Sequence, residues 1–458
     1  MDRNSVQKKL AEEKQRFVES HPESERLYRR ARSSLLGGVP MSWMMKWAGG
    51  FPVFVKEARG ATLVDVDEHT YVDFCLGDTG AMAGHSPQDV IRYVRNETAR
   101  GITTMLPTED AVWVGEELQR RFGLPYWQFA LTATDANRFS IRLAREITQR
   151  PKILVFNRCY HGSVDESLIS LIDGVAGPRK GNVGPPVNPT LTTKVVEFND
   201  VGALQAALEP RDVACVLAEP AMTNIGIIHP DPGFHDALRE LTRKTETLLI
   251  LDETHTICAG PGGYTRRHHL QPDMLTIGKT IGSGIPGAAY GVSAEVAERV
   301  FRRTEADFVD AGGIGGTLAG NALSIAAMRA TLESVLTEDA FERMLPLGEA
   351  FSNGVENVIR KYELPWHVST LGCRAEYRFR PLPPRNGTEA MKAIDEDLDA
   401  YMHLYALNRG VLMTPFHNMA LMSPSTTQSD VYKHTEIFEK AIDSLIGDCQ
   451  PGSASREG

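Results

Sequence analysis

Residues 247–294 read TLLILDETHTICAGPGGYTRRHHLQPDMLTIGKTIGSGIPGAAYGVSA. Three short apolar runs stand in this stretch, TLLILD (247–252), MLTIG (274–278) and AAYGVSA (288–294), each of a length that suits a buried strand. The first ends on Asp252 and the second runs into Lys279, 27 residues further on. A mostly parallel sheet binds its ligands at the carboxyl ends of its strands, so an acid and a lysine at two such ends can share one crevice. Taken singly, Asp252 also suits a helix cap and Lys279 an ordinary loop cation.

Outward from this stretch the same text continues. WQFAL (127–131), KILVF (152–156), KVVEF (194–198) and VACVLA (213–218) alternate with helical segments, and the alternation predicts an α/β fold over residues 78–335: a large, doubly wound, mostly parallel sheet of seven strands. Residues 5–36 read as polar helix, broken by Gly37, Gly38 and Pro40. FPVFVKEA (51–58) and ATLVDVDEHTYVDF (61–74), joined through Arg59 and Gly60, predict a small antiparallel sheet, so residues 1–77 are assigned to a smaller α+β domain. Residues 336–458 complete that domain, with strand-like pieces at CRAEYRFRP (373–381) and GVLMTP (410–415) and a frayed polar tail, QPGSASREG (450–458).

Composition narrows the function classes. The chain has 458 residues, 42% hydrophobic and 24% charged, enough for two or three domains around a substantial core. With 49 Lys+Arg against 59 Asp+Glu the net charge is -10, and no basic run offers itself to a phosphate backbone, which speaks against nucleic acid as a partner. No apolar run reaches the roughly 18 residues of a membrane span, and MDRNSVQKKLAEEKQRF (1–17) lacks an apolar leader core. The six cysteines are dispersed, with no CxxC pair and no cysteine-histidine cluster of ligand spacing, so a reducing cytoplasm and no metal are expected.

Two motif matches mislead. Gly282, Gly284 and Gly287 satisfy GxGxxG, yet strand text follows where a dinucleotide site needs a helix. Gly278-Lys279-Thr280 resembles the end of a P-loop, but the first glycine of that motif would fall on Asp273.

What fits better is the company that Lys279 and Asp252 keep. LTATDAN (131–137) follows WQFAL and opens the helical run RFSIRLAREI, so the backbone N–H groups of Ala133 and Thr134, with a threonine hydroxyl, form an anion site at a helix N-terminus. Asp135 suits an N-cap there. Tyr160 and His161 follow KILVF, and Glu219 follows VACVLA.

Six stretches in order, LTATDAN, NRCYHGS, LAEPAMTNIG, LLILDETHT, TIGKTIGSGIPGAAYG and GGTLAGNAL, resemble those of the class III (fold type I) pyridoxal-phosphate aminotransferases. The resemblance covers most of the chain, and with Leu36-Gly37-Gly38-Val39 it leans to the glutamate-1-semialdehyde aminomutase and β-amino-acid transaminase branch. It implies pyridoxal 5'-phosphate held as a Schiff base on Lys279, which also moves the proton between Cα and C4' as base and acid. Asp252 would keep the pyridine nitrogen protonated. Thr132, Ala133 and Thr134 would hold the phosphate, Tyr160 would stack on the ring, and His161, Glu219 and Thr254 would stand beside it. Gly316 and Thr317 would reach the phosphate of a neighbouring subunit, making a homodimer with its active site at the interface, and Gly312, Gly313, Gly315 and Gly316 would permit close backbone approach. The implied activity is a ping-pong aminotransferase, passing an amino group from an amine or β/ω-amino acid to a keto acid or aldehyde; the alternative is an aminomutase or racemase on the same lysine.

Departures from the pattern bear on the substrate. Ala133 and Asp135 stand where glycine and glutamate are usual, Thr254 where valine is, and His255 where glutamine or methionine is; His255 is expected to be hydrogen-bonded there and not catalytic. The C-terminal arginine that clamps an α-carboxylate in many relatives has no counterpart, since Arg409 precedes a strand and is expected to face away. The loop after Gly38 is apolar and aromatic, giving Trp43, Met44, Lys46 and Trp47 as the candidate substrate pocket.

Overall fold

The computed structural model describes residues 3–184, 187–302, 313–415 and 417–447. The tail 450–458 and Gly312, both singled out above, lie outside the described residues.

The N-terminal helical stretch is two helices, Arg3–Ser20 and Pro22–Ala31. Pro22 cannot donate to the preceding turn, so it ends one helix and is well placed in the first turn of the next. Strands β1 (Val55–Arg59), β2 (Thr62–Asp65) and β3 (Thr70–Asp73) form the expected antiparallel set.

The large sheet comprises β4 (Tyr126–Ala130), β5 (Lys152–Phe156), then, after a hairpin of β6 (Ile169–Ile172) and β7 (Val175–Pro178) that the pattern above does not contain, β8 (Thr193–Val196), β9 (Val213–Ala218), β10 (Leu248–Asp252), β11 (Met274–Ile277) and β12 (Ala288–Val292). Its order is β4-β12-β11-β10-β9-β5-β8. The pairs from β8 to β11 are parallel, and β12 runs antiparallel to both of its neighbours. Helices cover both faces, so β9 and β10 are buried along their whole length, which is why VACVLA and LLILD show no polar alternation. Leu217 and Ile250 are fully buried there, and truncating either to alanine should cost about 2–5 kcal/mol.

Beyond this sheet, β13 (His367–Leu371), β14 (Arg374–Arg378) and β16 (Met419–Leu421) pair antiparallel, while β15 (Val411–Leu412) joins β3 in parallel and so draws the C-terminal chain into the N-terminal sheet. Helix Arg3–Ser20 is tied to the segment before β15: Arg409 Nη2 meets Glu13 Oε1 at 2.8 Å and its guanidinium lies 3.4 Å from the Tyr405 ring centre. Arg409 thus points to the N-terminal helix, as expected. No described helix is long and apolar enough to cross a membrane.

The register sets up the site. Asp252 pairs with Thr276, and Lys279 follows three residues later, so both leave the sheet at its carboxyl-end crevice.

Candidate active site

A cavity of about 380 Å³ opens at that crevice, within the size range of small-molecule sites. Asp252, Lys279 and Glu219 enter it from strand ends, Tyr160 and His161 from the loop after β5, and Thr132, Ala133 and Thr134 from the start of helix Ala133–Thr148. Thr254 and Trp43 line it as well.

Thr132 caps that helix. Its Oγ1 accepts from the Asp135 N–H at 3.2 Å, and its hydroxyl donates to Asp135 Oδ2 at 2.8 Å. The N-cap is therefore Thr132, and Asp135 returns the contact from the first turn. Two glycines let the pieces close up. A Cβ on Gly278 would stand 3.0 Å from the Ala133 Cβ and 3.1 Å from its nitrogen, and one on Gly162, whose φ is +79, would collide with Thr134 Oγ1. Lys279 is thereby brought against the N-terminus of the helix, where first-turn N–H groups and the helix dipole favour an anion.

Asp252 accepts from Asn137 Nδ2 at 2.9 Å and from the Thr254 N–H at 3.0 Å, and His161 Nδ1 lies 2.9 Å from its Oδ2. Asn137 is held in turn by the Thr276 hydroxyl at 2.7 Å. Burial pushes Asp252 up, but these hydrogen bonds and the His161 charge outweigh it and bring the carboxyl down to about 2. For His161, burial lowers the imidazole while the Cys159 sulfur and Asp252 raise it to about 10. Asp252 is thus a fixed anion. Glu219 differs: burial lifts it to about 7, with His161 and the Thr223 hydroxyl pulling back.

Lys279 has φ +50, a left-handed conformation that costs about 1–3 kcal/mol for a non-glycine residue. Its Nζ donates to the Asp78 carbonyl at 2.9 Å and to Asp78 Oδ2 at 3.0 Å, and His255 Nε2 lies at 2.8 Å. His255 Nδ1 faces Thr79 Oγ1 at 2.9 Å and Arg374 Nη1 at 3.3 Å. Burial and the nearby Lys279 push His255 down to about 3, so it is neutral.

Asn137, Asp78, Thr79 and Arg374 are absent from the sequence-derived set. Asn137 lies one turn inside the helix whose start was recognised. Arg374, Glu376 and Arg378 alternate along β14, and all three are buried. That period-two Arg-x-Glu-x-Arg pattern was the available signal, because charges so spaced share one face. Asp78 gave none, lying in a loop without periodicity. Of the candidate substrate residues, only Trp43 reaches the cavity, its ring 5.3 Å from that of Tyr160. Met44 and Lys46 are exposed, and Trp47 packs against His403 at 5.4 Å. Gly316 and Thr317 are exposed and outside the cavity of their own chain.

The residues present fit pyridoxal phosphate. A helix N-terminus suits the phosphate, an anionic carboxylate the ring nitrogen, Tyr160 a ring face and a lysine amine the carbonyl carbon. Thr254 Oγ1 and His161 Nε2 are buried without a hydrogen-bond partner, as expected of polar atoms beside a ligand site.

The comparisons agree with that fit. The profile of aminotransferase class-III matches residues 43–442. A glutamate-1-semialdehyde 2,1-aminomutase of Methanosphaera stadtmanae is 31% identical over 429 residues, 92% of this chain and 98% of that protein. Among solved structures, a Lys-to-Ala variant of a glutamate-1-semialdehyde-aminomutase from Pseudomonas aeruginosa PAO1, in complex with PMP, is 48% identical with a TM-score of 0.95, covering 97% of this chain and 99% of that one. An omega-transaminase from Sphaerobacter thermophilus is 27% identical with a TM-score of 0.83, covering 92% and 97%.

Proposed function

The chain belongs to the class III aminotransferases, enzymes that use pyridoxal 5'-phosphate, and from that premise we propose that it is an aminomutase: it moves an amino group between adjacent carbons of one substrate molecule. This reading replaces transfer between two substrates, the expectation placed first above. The observation that carries it is the 48% identity, over nearly the whole of both chains, to a protein named as an aminomutase.

When bound, the cofactor supplies an electron sink for the carbon that loses its proton. The chain's own residues do the rest. Asp252, held ionised by His161, Thr254 and Asn137, would pair with the ring nitrogen and keep a proton on it. Thr132, Ala133 and Thr134 hold the phosphate at the helix N-terminus. Tyr160, with Trp43 packed beside it, would cover one face of the cofactor ring. Lys279 anchors the cofactor through Nζ and carries the proton at the substrate carbon. Gly316 and Thr317 complete the phosphate site of a second copy, so the active form is a homodimer, working in the cytoplasm.

The test supplies glutamate 1-semialdehyde, the compound in the relatives' names, as sole substrate to the loaded enzyme. An aminomutase converts it over many turnovers into the isomer with nitrogen on C1 and a ketone at C2, with no second substrate. One equivalent of carbonyl product followed by arrest until a keto acid is added would establish a transaminase instead.

A further inference from the structure

His21 stands at the joint between the two N-terminal helices, and its ring meets the end of β2 and the start of β3. Its Nε2 lies 2.8 Å from Tyr71 Oη and 3.5 Å from Asp65 Oδ2. His69 Nδ1 lies 3.1 Å from the same Asp65 oxygen. His21 and Asp65 are buried, at 2% and 0% exposure, while His69 is partly open to solvent.

The contacts leave this buried cluster one proton short. His21 Nδ1 is 2.7 Å from the Phe17 carbonyl, which can only accept, so that nitrogen carries the ring proton and Nε2 presents its lone pair. Tyr71 has one hydroxyl proton and two claimants, Asp65 Oδ2 at 2.6 Å and His21 Nε2 at 2.8 Å. Giving it to either leaves the other facing an oxygen lone pair. A second proton on His21 would close the count, but burial, with His69 adding to it, keeps that imidazole below its ordinary value against the Phe17 hydrogen bond. A cation closes it directly.

The same atoms are spaced as metal ligands. Around a tetrahedral zinc, ligand atoms stand about 3.3 Å apart. His21 Nε2, Asp65 Oδ2 and His69 Nδ1 all lie within 4.8 Å of one another, with two of the three separations at 3.5 and 3.1 Å. Their outer contacts are of the kind that orient ligands. His21 donates its other N–H to a backbone carbonyl, and Asp65 Oδ1 accepts from the Asp67 and His69 N–H groups at 2.9 and 2.8 Å, which leaves Oδ2 turned to the histidines. His21 is far from the other two along the chain, so short-range ligand spacing, on which the expectation of no metal rested, carries no sign of this cluster.

We propose that His21, Asp65 and His69 bind a divalent transition ion of the zinc class, with water from the exposed side of His69 in the fourth position. Two imidazole nitrogens and one carboxylate oxygen suit zinc over magnesium or calcium, which take oxygen ligands. With the ion in place Tyr71 gives its proton to Asp65, and the His21 lone pair has its partner. None of the three ligands lines the active-site cavity, so the ion acts as a clamp, tying the joint between the N-terminal helices to the β2–β3 turn.

The test is equilibrium dialysis of the pyridoxal-phosphate-loaded enzyme, stripped beforehand with a chelator, against zinc at buffered free concentrations. Zinc per chain is counted by elemental analysis and Tm is recorded at each concentration. Wild type should take up one tight zinc per chain and melt higher with it, and excess magnesium should not displace it. Loss of an outer partner costs about ten- to a hundredfold in metal affinity, so loss of a ligand should cost about a hundredfold or more. His69→Ala and Asp65→Asn should therefore bind at least about a hundredfold more weakly and lose the zinc-dependent rise in Tm, while Tyr71→Phe should weaken binding about tenfold. His69 is partly exposed, so His69→Ala decides the matter if Asp65→Asn does not melt cooperatively. A wild type without a tight zinc overturns the proposal, as does zinc held as tightly in His69→Ala as in wild type. Neither measurement involves turnover, so the metal site and the aminomutase reading stand or fall separately.

Discussion

At the residue scale, the site separates two carboxyl groups by environment. Asp252 is buried among donors and stays ionised; Glu219 is buried with one hydroxyl and titrates near 7. For Glu219 the folded value lies above the ordinary one of 4.5, so the folded protein holds the proton where the unfolded chain has released it. Wild-type stability therefore falls as pH rises from about 4.5 to 7, with no penalty below that window and the full penalty above it. Glu219→Gln, which mimics the protonated acid, should melt close to wild type at pH 5 and be more stable at pH 8 by up to about 3 kcal/mol. A difference that does not vary with pH would remove the buried acid as its cause. Lys279→Ala should give a folded protein without the visible absorbance of lysine-bound cofactor, its turnover lower by about a hundredfold to ten-thousandfold. Full turnover in that variant would refute the role given to Lys279.

At the scale of elements, the phosphate site proposed above depends on where one helix starts. Thr132 stops the chain in extended conformation and its hydroxyl closes the first turn on Asp135, so helix Ala133–Thr148 begins just after β4, beside Gly278 at the end of β11. Thr132→Ala should cost about 1 kcal/mol of stability through the lost cap and weaken cofactor binding with it. Thermal melting and a cofactor titration check both halves, and an unchanged affinity would separate the cap from the site. Gly278→Ala is the steric counterpart. Its new Cβ would press on Ala133 at 3.0 Å, and the two elements would have to part by a few tenths of an ångström.

For the molecule as a whole, the cavity joins segments far apart in the chain. Lys279 and Asp252 line it from strand ends of the large sheet and Trp43 from the N-terminal loop, while Asp78, in the loop after β3, meets Lys279 and Arg374, on β14, meets His255. Cofactor that binds only the folded protein should raise its stability by about 2.7 kcal/mol at a hundredfold excess over Kd, seen as a rise in Tm with cofactor concentration. Thr317 is exposed and outside its own cavity, so Thr317→Ala tests the second copy directly. Cofactor affinity should drop about tenfold in the dimer. Unchanged affinity would show that Thr317 does not contribute across subunits.

The legible part of this protein is what local pattern encodes. Buried parallel strands need unbroken apolar runs, and KILVF, VACVLA and LLILD announced themselves by that need. Asp252 at the end of one such run, and Tyr160, Glu219 and Lys279 shortly after others, are therefore expected at the crevice. The hairpin β6–β7 and the short strands β13 and β16 were harder, since three to five residues carry too little periodicity to stand out. Asp78 and Arg374 could not be placed at all. The first sits in a turn held by contacts to distant residues, and the second reaches the site only because β14 packs beside the segment that follows Asp252. The amino-acid sequence by itself determined the sheet and the crevice at which Lys279 and Asp252 stand, because short-range patterning suffices for strands and their ends, while the roles proposed for those two residues rest on the resemblance to the class III aminotransferases. Only the tertiary structure decided which charges surround that lysine, because side chains from separate elements meet through packing, and no periodicity along the chain records that meeting.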